Sequence, residues 1–489
     1  MVDNKITVTV VYDLTLVVGY KPIGALTTGV VLPESISLVD EALDIDYLII
    51  NSEVELFVDI PEGKYIESLK VGEEEVKGSV VDGKFTVTVV ADLTITISFG
   101  NYVYSLTYNI NDGMFVFTEE YIHNELTSNA YILEETNITN WEYNGEVFTF
   151  GNAYTYLDNI TLTATVEALP ESAFTYEIVA GKAVISKVDN PLDVKVLIFP
   201  NTLGGYPVDV IGNAAGFITN KKVIRYLKLS DSATMIEYMA FHDEKELREV
   251  ILPSGLIEIS ALAFAHTKIE KIIIPKTVQS IGYAGFFNTK SLKEVIFEDE
   301  ENSELTTLGI DAFASSGIST FKLVNDVDIV GMDIFHGCTQ LEEITLEATS
   351  TRYILDEHGV LYLADGTTLV YYPAAKTLTT YDIQAGTQKI DDYAFYMSSN
   401  LTKVNMPSSL TEIGASAFSY TSIQYLVIPL SVATIKASAF LVASSLAMTI
   451  YVEATSAQAG WAENWDYGIA AVYYSPNWAY DAFGVPYPL

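Results

Sequence analysis

Apolar positions recur in a fixed order through the second half of the chain. Residues 247–264 read Leu-Arg-Glu-Val-Ile-Leu-Pro-Ser-Gly-Leu-Ile-Glu-Ile-Ser-Ala-Leu-Ala-Phe. Residues 401–418 read Leu-Thr-Lys-Val-Asn-Met-Pro-Ser-Ser-Leu-Thr-Glu-Ile-Gly-Ala-Ser-Ala-Phe, and ten of the eighteen positions are identical. The leading apolar residue returns at Ile224, Leu247, Ile269, Leu292, Ile318, Leu341, Leu378, Leu401, Ile423 and Leu446. The steps are 22 or 23 residues, except for 26 after Leu292 and 37 after Leu341. The closing aromatic returns at Phe241, Phe264, Phe286, Phe313, Phe335, Phe395, Phe418 and Phe440, and a divergent earlier copy begins at Val194. One copy has too few apolar side chains to enclose a core, whereas stacked copies align them into one. The period therefore predicts a solenoid. Eleven coils spaced about 4.8 Å apart would run for about 50 Å.

Within L-x-x-V-x-L the apolar residues alternate, which predicts a short strand per coil in a parallel sheet with the intervening residues facing out. The first outward column reads Tyr226, Glu249, Lys271, Glu294, Thr320, Glu343, Thr380, Lys403, Tyr425. The alternation Glu249, Lys271, Glu294 favours the register by about 0.2–1 kcal/mol per pair. The second column holds Ile251, Ile273 and Ile296 on adjacent strands, apolar side chains that the core does not require. A polar-rimmed apolar stripe of this kind marks a contact site. Ile251, Ile273, Ile296, Tyr226 and Tyr425 are the candidate partner-binding residues.

The repeats resemble the BspA-like leucine-rich repeat of bacterial surface proteins. The resemblance is carried by Val250, Ile272, Val295 and Val404, by Ile211-Gly212, Ile281-Gly282, Leu308-Gly309 and Ile413-Gly414, and by the Ala-Phe pairs from Ala240-Phe241 to Ala439-Phe440. It covers residues 173 to about 453 and implies a right-handed leucine-rich-repeat solenoid with a parallel sheet. It also implies a non-enzymatic protein at the bacterial cell surface that binds a protein or glycan on another cell or surface.

Residues 1–168 alternate with period two instead, as in Ile6–Val10, Phe85–Val89 and Ile95–Ile97, broken by turns at Pro61–Lys64, Asp82-Gly83, Asn111–Gly113 and Asn144-Gly145. This predicts small β modules, at 1–100 and 101–168. The phrases Asp13-Leu-Thr-Leu, Asp92-Leu-Thr-Ile and Asp158-Asn-Ile-Thr-Leu read as closing strands of such modules. The first falls so early that it is read either as the remnant of a module or as a first strand. Residues 101–168 resemble an internalin B-repeat, a β-grasp-like unit, on Trp141-Glu-Tyr, Phe148 and Thr161–Thr165.

The expected fold is thus mainly β: two β modules, a cap at 169–200 with a hairpin around Gly181, a solenoid at 201–452, and an aromatic cap at 453–489. Two coils are enlarged. One carries the acidic run Glu298–Glu301. The other gains Tyr353–Tyr372, where Asp365-Gly366 between alternating runs signals a hairpin; insertions of this kind often sit on the binding face.

Composition narrows the function. With 26 basic against 64 acidic residues the net charge is -38, which argues against nucleic acid and against anionic lipid. No run of about 18 apolar residues is present, so no membrane insertion is expected. No signal peptide is read at Met1–Leu16. The lone Cys338 reads as a small buried residue. His123, His242, His266, His336 and His358 are scattered; no H-E-x-x-H, G-x-S-x-G or phosphate-cradling loop occurs, so neither an enzyme, a metal nor a cofactor is expected. The acidic runs at Asp40–Asp46 and 298–301 lack the spacing of a calcium loop. The sequons at Asn137, Asn159 and Asn400 are read as incidental. The alternatives are self-association into a surface layer or filament, and glycan binding or processing by the aromatic tail; the sequence leaves the oligomeric state open.

Overall fold

The computed structural model describes residues 158–489 apart from 190–193, 213–215, 220–223, 330–332 and 443–447. Before residue 158 it describes 4–10, 14–20, 36–38, 53–58, 60, 64–71, 74–75, 77–81, 84–88, 95–111, 113–122 and 141–148. Asp40–Asp46, Asp82-Gly83, Asp13, Asp92, His123, Asn137 and Leu446 lie outside the described residues. The chain forms two compact units, residues 1–134 with 138–166, and 135–137 with 167–489. Among the described residues there is no α-helix.

In the first unit, residues 4–101 build two sheets. The hairpin Asn4–Val10/Leu14–Tyr20 joins the sheet of Ile95–Asn101 through a parallel pairing, Thr9 to Thr96 and Val10 to Ile97. The opening residues are thus integral strands of this sheet. Residues 103–164 form a separate five-stranded sheet in which Val103–Ile110 and Ile160–Ala164 lie parallel at the centre. Alternation dictates its core: Leu106, Tyr108, Ile110, Ile160 and Leu162 are buried, and Trp141 packs edge-on to Tyr108 at 5.2 Å.

The second unit is the solenoid, built of about twelve coils. Its rung strands run from Val196–Ile198 through Glu249–Ile251, Lys271–Ile274 and Thr320–Leu323 to Ala471–Tyr474. The array thus continues one coil beyond Val452, where the sequence motif fades. The alternation holds as expected: in Lys271–Ile274 the first and third residues are exposed and the second and fourth buried.

Most coils also lay down a second, two-residue strand at the Ile of the x-x-I segment. Met235–Ile236, Glu258–Ile259, Ser280–Ile281 and Thr307–Leu308 pair in parallel. A third line of bonds runs through the Ala-Phe turns: Met239, Phe241 and Asp243 donate their N–H groups to the carbonyls of Ala261, Ala263 and Ala265 in the next coil, at 2.8–3.1 Å. Residues two before and two after the phenylalanine adopt positive φ, as at Leu262 (58°) and His266 (62°), Ser416 (52°) and Tyr420 (59°). Left-handed backbone costs a non-glycine residue about 1–2 kcal/mol, and the cross-coil bonds offset it by pairing alternate N–H groups of the turn, while Ala240, His242 and Glu244 donate within it.

The repeat phenylalanines form a spine. Phe241, Phe264, Phe286 and Phe313 stack at 5.3, 5.4 and 5.3 Å, and Phe395, Phe418 and Phe440 at 4.8 and 5.5 Å. Gly309 is required by close approach: a Cβ there would stand 2.6 Å from the Tyr283 nitrogen of the preceding coil.

The cap hairpin Phe174–Val179/Lys182–Val188 closes the array around Ala180 and Gly181, both at positive φ. The Tyr353–Tyr372 insertion forms the expected hairpin but lies elsewhere than expected. Instead of projecting from a binding face, it is built into the stack. Thr368–Tyr371 is buried along its whole length and pairs in parallel with Lys389–Ile390 of the next coil. Tyr353, Leu361, Val370 and Tyr371 belong to the core before it; Val360, Tyr362, Leu369 and Tyr372 belong to the core after it. Its last strand, Thr368–Tyr371, is covered on both sides, so the insertion acts as a septum between the two cores.

Candidate functional site

The rung strands hold their outward residues on hydrogen-bonded ladders that run in four segments, the first ending at Glu249–Ile251 and the second joining Lys271–Ile274 to Glu294–Phe297. Lys271 and Ile273 register against Glu294 and Ile296, and Lys403 against Tyr425. Ile273 is 50% exposed, with Ile251 and Ile296 half-buried on either side. Tyr425 is half-buried on the same face towards the C-terminal end.

Tyr226 departs from expectation. It occupies the outward register but is buried at 8%. The reason lies in its neighbour: all three residues of Val196–Ile198, the rung it pairs with, are buried, so both faces of the sheet are covered at this end. Burial pushes the Tyr226 hydroxyl up to about 12, with the Glu249 charge adding to the effect. The structure removes Tyr226 from the accessible surface and leaves Ile251, Ile273, Ile296 and Tyr425 on it.

The charge pattern is realised in part. Lys271 pairs with Glu294 at 3.2 Å. Glu249 is instead governed by its own burial and by Glu270, which together raise its carboxyl to about 7. Most ion pairs join adjacent coils, among them Lys268–Glu246 at 2.8 Å and Lys276–Asp299 at 3.3 Å. The run 298–301 is the exposed bulge expected; it forms a short turn at Glu300–Asn302 and supplies Asp299 and Glu300 to lysines of the flanking coils.

The turns bring together titratable groups that are distant in sequence. His336 Nδ1 lies 2.8 Å from Asp311, and its ring stacks on Tyr393 at 4.9 Å across the hairpin insertion. The Asp311 contact raises the His336 pKa against the opposing effect of burial, and burial with the Asp311 charge lifts Asp333 to about 6. His242 and His266 meet edge to face at 5.3 Å. The period could have revealed these contacts, because all of these residues sit within three positions of a repeat phenylalanine. Among the described residues no group of side chains is arranged to hold a metal ion. Cys338 is fully buried, its thiol donating to the Phe313 carbonyl at 3.2 Å and pushed up to about 11 by burial.

At the C-terminal end the aromatic tail divides. Trp461 and Trp465 are buried in the core, with Trp465 edge-on to Phe440 at 5.8 Å. The hairpin Trp478–Tyr480/Pro486–Pro488 turns back over the outward face, where Trp478 packs on Tyr451 at 5.5 Å and donates its indole N–H to the Val452 carbonyl at 2.9 Å.

Residues 215–342 and 371–457 match the model of the BspA type leucine rich repeat region, in six copies. The gap between the two matches coincides with the hairpin insertion. No curated protein matches the chain. Among solved structures, the pneumococcal vaccine antigen PcpA is similar at 20% identity and a TM-score of 0.48, over 58% of this chain and 81% of that one. A leucine rich cell surface protein from Faecalibacterium prausnitzii A2-165 is similar at 22% identity and a TM-score of 0.47, over 63% and 95%. A leucine-rich repeat protein from Bacteroides ovatus ATCC 8483 is similar at 19% identity and a TM-score of 0.39, over 62% and 70%.

Proposed function

We infer function from one premise: residues 215–342 and 371–457 are a BspA-type leucine-rich repeat region. On that premise the chain is a non-enzymatic recognition module of the bacterial cell surface. It displays the outward face of its rung ladder to a protein or glycan on another cell or surface. The observation that supports this reading is the stripe Ile251, Ile273, Ile296, in which Ile273 is held half-exposed on a rigid ladder that does not need it for the core. Binding here is multivalent and non-covalent. The wide sheet is already ordered, so few side chains must lose freedom on contact.

The test is binding of the purified chain to immobilised extracellular-matrix proteins and to a glycan array. The wild type is compared with a variant carrying Ile251→Thr, Ile273→Thr and Ile296→Thr. Threonine keeps the β-branch and strand preference, so the fold is retained and a partner of this face loses at least tenfold in affinity. Unchanged binding to every partner found would sink the reading.

A further inference from the structure

We propose that the outward face of the last two coils is a saccharide-binding platform for a neutral oligosaccharide, formed by Tyr473, Tyr480 and Trp478. The proposal rests on the outward rung face being a binding surface and gives that face a ligand class.

Tyr451 and Tyr473 occupy the same outward position on neighbouring rungs and stack at 5.6 Å with an interplanar angle of 19°. Tyr451 is covered by Trp478, whereas Tyr473, one coil further on, is half-buried. Tyr480 packs edge-on against Trp478 at 5.2 Å and is 51% exposed. The indole cannot swing away, because its N–H is held by Val452 and its ring by Tyr451. Flat rings are thus held at the surface, with Tyr480 the most exposed of them.

The polar groups of this face are the phenol hydroxyls of Tyr473 and Tyr480, and the exposed Glu453 directly follows the rung strand Thr449–Val452. Aromatic faces take up the C–H face of a pyranose, while phenol hydroxyls and a carboxylate exchange hydrogen bonds with its hydroxyl groups. Such a combination of an apolar body and a wet tip is what tyrosine and tryptophan supply. A cationic peptide fits less well, because the carboxylates beside these rings are already engaged: Glu453 accepts the Leu430 N–H at 3.0 Å, and Asp481 accepts the Phe483 and Val485 N–H groups at 2.8 Å.

The probes are cellohexaose and mannohexaose, with hexalysine as the cationic comparison, followed by calorimetry and by Trp emission. Binding of either hexasaccharide by the wild type is expected, weakened at least tenfold by Tyr480→Ala and by Tyr473→Ala. Tyr480→Phe should lose less, since it keeps the ring. Tyr480 is exposed, so its variants keep the wild-type melting temperature even if Tyr473→Ala loosens the terminal rung. No binding of either hexasaccharide at millimolar concentration overturns the proposal, as does binding of hexalysine alone. If the Ile251/Ile273/Ile296 variant loses saccharide binding while Tyr480→Ala keeps it, the platform falls and the rung-face reading stands.

Discussion

Phe286→Ala tests the stacked spine directly. Phe286 is fully buried and lies between Phe264 at 5.4 Å and Phe313 at 5.3 Å. Truncating a buried phenylalanine costs about 3–5 kcal/mol through lost transfer energy and the residual cavity. Each aromatic pair adds about 0.5–1.5 kcal/mol beyond area burial, and two pairs are broken. Part of the pair energy is already contained in the cavity figure, so the expected loss is about 4–6 kcal/mol. In a solenoid that loss falls on the coil and its neighbours before it reaches the whole array. The buried residues form two cores that meet at the 353–372 hairpin, and Trp461 and Trp465 lie in the second. Urea unfolding should therefore be followed by circular dichroism and by Trp emission together. Phe286→Ala should move the dichroism transition more than the emission transition, and Phe418→Ala, in the second core, should move the emission transition strongly. A loss below about 2 kcal/mol for Phe286→Ala would refute the stacking argument. Equal displacement of both signals by both variants would refute the septum.

Three further outcomes follow from the contacts between coils. Gly309→Ala should cost about 1–3 kcal/mol, because the new Cβ meets the preceding backbone at 2.6 Å; Gly255→Ala, where nothing lies within 4 Å, should be near neutral in the same melting assay. Glu249, raised to about 7 in the fold from an ordinary 4.5, makes the protein lose stability as pH rises from about 4.5 to 7, since the unfolded chain ionises first. Glu249→Gln should remove that slope and gain about 1 kcal/mol at neutral pH, solvent screening of a partly exposed group allowed for. Asp326 is held down to about 2, first by the Thr351 hydroxyl, and also accepts from the Thr351 N–H at 2.9 Å and the Ser350 hydroxyl at 2.9 Å. Its contribution is present above about pH 4 and is lost as pH falls towards 2. Asp326→Asn should flatten the acid limb of the stability profile.

What the sequence makes legible is whatever repeats. The buried rung positions and the Phe spine recur every 22 or 23 residues, so one alignment of the chain with itself exposes them. The second ladder is harder to see because its strands are two residues long. Glu258–Ile259 has no alternation to read, only a spacing. Tyr226 shows where a column argument fails: its register is outward, but its burial depends on Val196 and Ile198 next to it, a property of the end of the array and not of the repeat. The Asp365-Gly366 turn is legible from dipeptide chemistry, yet the place of the hairpin is not, because Thr368–Tyr371 is buried on both faces and a doubly covered strand has no period. The tail divides for the same reason. Nothing local separates Trp465, buried against Phe440, from Tyr480, exposed beyond Trp478.

The ion pairs connect stability to recognition. Lys268–Glu246, Lys271–Glu294, Lys276–Asp299 and Lys389–Glu412 each join residues 22 or 23 apart in sequence. Individually such surface pairs contribute about 0–1 kcal/mol, too little to decide the fold. Their common offset does something different: a coil displaced along its neighbour would forfeit all of them at once, together with the three lines of backbone bonds. Several basic residues of the repeats are thereby engaged in holding register, and the chain as a whole carries 64 acidic residues against 26 basic ones. An apolar stripe such as Ile251–Ile273–Ile296 then sits on a rigid sheet within a surface that repels other copies of itself. If that stripe is the binding surface proposed above, its selectivity is geometric: the backbone rungs cannot shift to meet a partner without breaking the bonds between coils, so only side-chain rotamers are free to adapt.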